Sequence, residues 1–155
     1  MKRTLALFCI IILILPFCIN ATAISSPSSL SYVEYFDDGS YITITISESS
    51  PFPIRSENTK TGSKTTTYTG TDGIVKWESK LTGTFSYNGT SATCTSSNIT
   101  YSIKDSSWDI ISAIPSRENN KAIGDIIVKQ YLLGIPVNTY NYTIVISCSP
   151  TGVLS

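Results

Sequence analysis

The chain has 155 residues, of which 41% are hydrophobic and 14% charged, and its 11 basic residues balance its 11 acidic ones. This length fits a single domain, and the balanced charge does not indicate nucleic acid as a partner. The sequence contains no histidine. It therefore excludes Ser-His-Asp and Cys-His catalytic arrangements and any zinc site that needs imidazole.

The first 23 residues have the three parts of a secretory signal. The basic pair Lys2-Arg3 precedes an unbroken apolar run from Leu5 to Leu15, and Ala21-Thr22-Ala23 supplies the small residues that a signal peptidase reads. The apolar stretch is shorter than the roughly 20 residues that a spanning helix needs. We therefore expect cleavage after residue 23, a single secreted domain over residues 24–155, and no stable membrane span once the signal is removed.

Alternating apolar and polar residues predict β-strands in the first half of this domain. Three isoleucines alternate with Thr and Ser between Tyr41 and Ser47, which is typical of a half-buried strand. Tyr32 to Phe36 is a plausible partner strand across Asp37-Asp38-Gly39-Ser40, because Asp-Gly favours a tight hairpin turn. The stretch from Ser49 to Lys64 is rich in turn residues, and we interpret it as one long loop.

The clearest strand runs from Val75 to Tyr87. Its odd positions form an apolar row, whereas its even positions carry charges and hydroxyls; a helix would scatter the same apolar residues around its circumference. Asn88-Gly89 then predicts a hairpin turn. In the returning segment, 90–103, the apolar parity changes, which predicts a bulge near Ser96-Ser97.

The later segments continue the same pattern. Alternation predicts a strand from Trp108 to Pro115, followed by a polar turn over Ser116 to Asn120. Lys121 to Leu133 has both period-2 and helical spacing, and the β-branched run Ile126-Ile127-Val128 favours a strand. The last predicted strand is Tyr142 to Cys148.

Seven or eight short strands with polar turns predict an all-β fold, a single antiparallel β-sandwich. An immunoglobulin-like sandwich is the preferred version, because Trp108 follows Cys94 by 14 positions and Cys148 follows it by 54. A small β-barrel is the alternative.

Cys94 and Cys148 are both predicted to point inward and to form one structural disulfide, with two buried free thiols as the alternative. Trp77, Phe85 and Trp108 are the predicted core aromatics.

No pattern in the sequence marks a catalytic, cofactor-binding or metal site. Asp37-Asp38-Gly39 and Asp72-Gly73 resemble pieces of calcium loops, but neither reaches the six to eight oxygens that calcium takes, so both are interpreted as turns. The acidic residues are scattered singly and suggest no glycosidase pair. Four exposed tyrosines are candidate stacking platforms for sugars, but we interpret each as a sheet-surface residue that favours strands: Tyr35, Tyr68, Tyr140 and Tyr142.

Three segments resemble those of a known group of proteins: Tyr35 to Tyr41, Leu81 to Cys94, and Ser147 to Ser155. In their turn glycines, strand residues and cysteines they resemble small, signal-bearing secreted proteins of unassigned activity from gut-dwelling Gram-positive anaerobic bacteria. The resemblance implies an exported bacterial protein. It brings no catalytic or binding residue, because the shared positions are structural.

The sequence therefore predicts a secreted or surface-associated module that binds a partner or has a structural role, and no enzymatic activity. The expected partner is a cell-wall or host-surface glycan or protein, with no nucleic acid and no cofactor. A toxin-like or inhibitor-like factor is an alternative function for the same secreted module. A secreted hydrolase that uses carboxylates is the alternative of a different class.

Overall fold

A computed structural model describes residues 29–49 and 58–155 of the chain. The predicted signal segment lies outside these residues. Within them no helix is long and apolar enough to cross a membrane. The described chain forms eight β-strands: β1 Ser29–Tyr35, β2 Tyr41–Ser49, β3 Asn58–Thr69, β4 Val75–Tyr87, β5 Ala92–Ile103, β6 Trp108–Glu118, β7 Lys121–Leu132 and β8 Ile135–Ser147.

The strands form two antiparallel sheets, each in simple chain order. One sheet has the order β1-β2-β3-β4-β5 and the other β6-β7-β8, and the second sheet packs against β3, β4 and β5 of the first. The predicted antiparallel β-sandwich is therefore confirmed. Its immunoglobulin-like version is not confirmed, because that fold uses Greek-key connections, whereas here the β5–β6 connection alone joins the two sheets among the described strands.

The core lies where the alternating row of β4 faces β7 and β8. Trp77, Leu81 and Phe85 have no exposed surface, and Trp108 is also buried at the start of β6, so the predicted core aromatics are confirmed. The period-2 pattern of β4 explains this, since every second side chain points to the same face. From the opposite sheet, the inward row of β7 and β8 contributes its fully buried aliphatic residues: Ala122, Ile126, Val128 and Ile146.

Small residues let the two sheets approach closely at the centre of this core. A Cβ atom added to Gly83 of β4 would lie 2.8 Å from the Cβ atom of Ala122 on β7. A Cβ atom added to Gly124 of β7 would lie 2.9 Å from Ile99 and 3.1 Å from Leu81. The missing side chains therefore set the separation of β4 and β7.

Strand β3 starts earlier than the sequence indicates. The predicted loop from Ser49 to Lys64 ends too late, because Asn58 already begins β3. Residues 50–57 lie outside the described residues. The turn-like composition near Gly62 misleads because this glycine belongs to a strand. Its missing side chain leaves the space that Leu154 occupies.

Strands β6 and β8 are longer than predicted. β6 continues beyond Pro115 to Glu118, so the predicted polar turn shrinks to Asn119-Asn120. Because β6 is an edge strand, Pro115 removes no ladder hydrogen bond that the sheet needs. β8 begins at Ile135, directly after a tight turn at Leu133-Gly134 with positive φ angles of 51° and 80°.

Other predicted elements match the structure. Lys121 to Leu132 is a strand, as the β-branched run favoured. In the pairing of β4 with β5, Thr84 lies opposite Ser96 and Phe85 opposite Cys94, so Thr95 is an extra residue and a bulge lies beside the predicted position. The Asp-Gly and Asn-Gly turns form with positive φ at Gly39, Gly73 and Gly89.

The predicted disulfide is wrong: Cys94 and Cys148 are both buried free thiols. Each thiol donates to a carbonyl of its own segment, Cys94 to Ser96 at 3.2 Å and Cys148 to Ser149 at 3.5 Å. The backbone NH groups of the two cysteines bond to different carbonyls of the β6–β7 turn, those of Asn119 and Asn120. The inward-facing strand positions of the two cysteines therefore predicted their burial correctly, but the disulfide between them incorrectly.

We expect both thiols to be unreactive in the folded protein. Burial raises the pKa of Cys94 and of Cys148, and the thiolate is the reactive form. A thiol reagent such as 5,5′-dithiobis(2-nitrobenzoate) should label neither cysteine at neutral pH and both after unfolding in guanidinium. The melting temperature should be the same with and without reductant. A purified protein whose mass is two hydrogens lower than the free-thiol form would contradict this.

We expect Gly124→Val to destabilise the protein by about 1–3 kcal/mol, because overpacking a filled core forces shifts of this cost. The added side chain would collide with Ile99 and Leu81, which lie on the opposite sheet. Lys121→Val, an exposed position on the same strand, is the control and should change stability by less than about 0.5 kcal/mol. Chemical denaturation of the two variants measures the difference. Equal midpoints would show that β4 and β7 are not in close contact.

Candidate functional site

Five aromatic side chains form a closed ring of contacts that joins the two sheets. Tyr68 of β3 stacks on Trp77 of β4, with ring centroids 5.7 Å apart, and lies 5.0 Å from Trp108 of β6. The ring closes through β8, where Tyr140 stacks on Trp108 at 5.8 Å and Tyr142 lies 5.5 Å from Trp77. The centroids of Tyr140 and Tyr142 are 6.3 Å apart. We call these five residues the aromatic cluster.

The sequence-based interpretation of the tyrosines was partly wrong. Tyr68 is 8% exposed, so it is a core residue, while Tyr140 and Tyr142 are half-buried rather than exposed. Burial raises the pKa of Tyr140 and raises that of Tyr142 to about 12, so both hydroxyls stay protonated at neutral pH. Tyr35 is exposed as predicted. Extending the alternation of the last strand back from Tyr142 to Tyr140 would have identified the inward direction of both rings.

A polar hollow of about 330 Å³ lies over one side of the aromatic cluster. Tyr68, Trp108 and Tyr140 form its aromatic side, and polar residues from the turns and strand ends form the rest: Asp38, Gly70, Thr71, Asp72, Lys76, Ser107, Gln130 and Asn138. Its volume is within the range of small-molecule pockets, roughly 300–1,000 Å³. We call this feature the polar hollow.

Hydrogen bonds fix the polar side chains around the hollow. Asp38 accepts bonds from the backbone NH of Ser40 at 2.9 Å and from its hydroxyl at 2.6 Å. Asn138 of β8 donates to Gln130 of β7 at 2.9 Å, as the register of the two strands allows. Side chains that are held in this way lose little further freedom when a ligand binds.

Lys76 organises the charged part of the hollow. Its ammonium lies 2.6 Å from Asp72, in the β3–β4 turn, and 2.9 Å from Asp105, in the β5–β6 connection. Asp105 also accepts bonds from the NH of Ser107 at 2.9 Å and from its hydroxyl at 2.7 Å. Lys76 therefore ties the β5–β6 connection to the rim of the hollow.

These bonds hold the carboxylates in their ionised form. Hydrogen bonds from Ser40 lower the pKa of Asp38, and the hydrogen bond from Lys76 lowers that of Asp72. Hydrogen bonds from Ser107 and Lys76 lower the pKa of Asp105 to about 2. At neutral pH the hollow thus presents fixed carboxylate acceptors beside the Lys76 ammonium and neutral amide and hydroxyl groups. Among the described residues no group of three or more His, Cys, Asp or Glu side chains is placed to hold a metal ion.

The residues of the hollow were mostly missed by sequence reasoning. Lys76, Gln130 and Asn138 belong to strands whose pattern indicates only solvent-facing polar positions. Asp38 and Asp72 were interpreted as turn residues, and the structure confirms that role through their bonds to the NH groups of Ser40 and Ile74. Their meeting at one end of the sandwich depends on strand order, which the sequence pattern does not specify.

Comparisons with protein-family models, with curated proteins and with solved structures yield no match for this chain. The arrangement of the hollow is thus the basis for a functional assignment.

We expect acid to weaken the attachment of the β5–β6 connection. The pKa of Asp105 is about 2 in the folded protein, against about 3.9 in an unfolded chain. Its stabilising effect is therefore complete above pH 4 and is lost as the pH falls toward 2. Asp105→Asn should flatten the decline of the melting temperature across this window. Ser107→Ala, which removes one of the two Ser107 donors, should give an intermediate slope. An unchanged slope in Asp105→Asn would contradict the assignment.

Proposed function

We propose that this chain is an exported β-sandwich binding module that holds a glycan in the polar hollow. The single observation that carries the proposal is the hollow itself, in which an aromatic side faces fixed hydroxyl, amide, carboxylate and ammonium groups. Tyr68 and Trp108 are buried at 8% and 6% exposure, so the half-buried ring of Tyr140 is the one that offers an apolar face to the CH groups of a sugar ring. The surrounding donors and acceptors match the alternating hydroxyls of the same sugar.

The secretory pattern at the start of the sequence supports a location outside the cell. Lys2-Arg3, the apolar run and Ala21-Thr22-Ala23 have the order of a cleavable signal. An exported module meets cell-wall polysaccharide or host-surface glycans, which are the partners expected at that location. A role in which the same hollow binds a surface protein is the alternative partner class.

The electrostatics of the hollow favour binding over hydrolysis. A carboxylate hydrolase needs a general acid whose pKa is raised toward the working pH. The carboxyl groups at the hollow have pKa values below their usual range, because Ser40, Lys76 and Ser107 donate to them. Such groups accept hydrogen bonds from a ligand and do not deliver a proton to a leaving group.

We expect the purified protein to bind at least one glycan on an array that includes cell-wall polysaccharides and mucin glycans. Tyr140→Ala should weaken that binding at least about tenfold, since aromatic anchors carry most of the energy at compact sites. Tyr140→Phe keeps the ring and should retain most of the affinity. Tyr35→Ala removes an exposed ring outside the hollow and is the matched control. Calorimetric titration of the best array ligand measures all four proteins.

Two results would overturn the proposal. One is the absence of binding to every glycan class on the array. The other is equal affinity of Tyr140→Ala and the unaltered protein, with melting temperatures showing that both are folded.

A further inference from the structure

The five-stranded sheet extends sideways beyond the sheet that covers it. The three-stranded sheet contacts β3, β4 and β5, and no Cα atom of β1 or β2 lies within 8 Å of it. Ile42 of β2 is buried in the core, but around Leu30 and Ile46 no described strand lies opposite the core-facing side of β1 and β2. On this face of the β1–β2 pair, Leu30 lies opposite Ile46 and Tyr32 lies opposite Ile44.

An apolar groove of about 390 Å³ occupies this uncovered strip. Its walls include Leu30 and Tyr32 of β1, Ile46 of β2, and Leu154 near the C-terminus. Leu30 is 67% exposed and Tyr32 is 44% exposed. The groove shares no residue with the polar hollow, so the two features are independent.

One lysine lies in the groove on the apolar, core-facing side of the sheet. Lys64 of β3 is flanked by Ile46 on β2 and by fully buried Leu81 on β4. Its ammonium donates to the carbonyl of Val145 at 3.3 Å. Among the described residues no carboxylate lies within 4 Å of it. Half-buried charges are normally paired, because removing an ion from water is costly.

The neighbouring charges do not neutralise Lys64. Glu48, which also lines the groove, is paired with Lys60 at 3.0 Å. Burial lowers the pKa of Lys64, which is the direction expected for a cation that loses water without gaining an anion. An anionic group placed in the groove would supply the missing partner.

We propose that this groove binds a single aliphatic carboxylate, with the hydrocarbon chain along Leu30, Tyr32 and Ile46 and the carboxylate on the Lys64 ammonium. The apolar walls account for the chain and the unpaired ammonium accounts for the acid. A neutral lipid would leave Lys64 without a counter-ion. An amphiphile with a cationic head would be repelled by it.

Titration calorimetry of the purified protein with dodecanoate, kept below its micelle concentration, tests the proposal. We expect saturable binding with one ligand per protein. Dodecanol should bind at least about tenfold more weakly, because hydrogen bonds to charged groups exceed those to neutral ones. Dodecyltrimethylammonium should bind more weakly still. Across octanoate, decanoate and dodecanoate, each buried methylene should tighten binding about fourfold.

Two pairs of variants locate the site. Lys64→Met should weaken dodecanoate binding at least about tenfold and leave dodecanol binding unchanged, whereas Lys80→Met alters an exposed lysine of the adjacent strand and should have no effect. Leu30→Glu places a carboxylate in the groove and should abolish dodecanoate binding. Val33→Glu alters the opposite face of the same strand and should not. Melting temperatures of all four variants establish that each is folded.

Several outcomes would overturn the proposal. These are no saturable binding of dodecanoate, equal affinity for dodecanoate and dodecanol, or equal dodecanoate affinity in Lys64→Met and the unaltered protein. Binding to phosphatidylglycerol vesicles without binding to monomeric dodecanoate would show a membrane-surface site instead. None of these outcomes bears on glycan binding in the polar hollow.

Discussion

The close contact between β4 and β7 determines the rest of the architecture. Gly83 and Gly124 lack the side chains that would separate the two sheets at this point. With β7 placed over β4, its two neighbours reach β3 and β5, and no further described strand extends the second sheet. Among the described strands, three therefore cover three of five, and the part of β1 and β2 around Leu30 and Ile46 has no strand opposite it. Such incomplete cover is unusual for a sandwich, since the apolar face of a sheet is normally buried against another layer.

The two proposed sites arise from different consequences of that packing. At one end of the sandwich, large aromatic rings from both sheets fill the space between the inner faces. The polar turns then close around them. At the side, the gap is not filled by any described strand, and Lys64 sits where the apolar cover stops. One site depends on bulky aromatic residues that meet between the two sheets, and the other depends on the unequal width of the sheets.

The local pattern predicted the elements well and their assembly poorly. Alternation in β4 and the Asn88-Gly89 turn indicated a strand and a hairpin directly, because both are properties of neighbouring residues. The prediction at Gly62 was wrong because a glycine that leaves room for Leu154 within a strand cannot be distinguished in the sequence from a glycine in a turn. The meeting of Asp72 with Asp105 at Lys76 depends on how distant strands pair. No short window of sequence contains that information.

The sequential strand order has a further consequence for how the chain reaches its folded state. Every strand pair within a sheet joins neighbours in the chain, so most pairing is between residues of modest sequence separation, unlike that of Greek-key sandwiches. Low separation reduces the loop-closure entropy that must be overcome before contacts form. Each sheet can therefore form by successive pairing of hairpins that are adjacent in the chain. The remaining long-range step is the packing of the two sheets across the short link between Ile103 and Trp108. That step forms the two contacts of the aromatic cluster that cross between the sheets, Tyr68 with Trp108 and Trp77 with Tyr142.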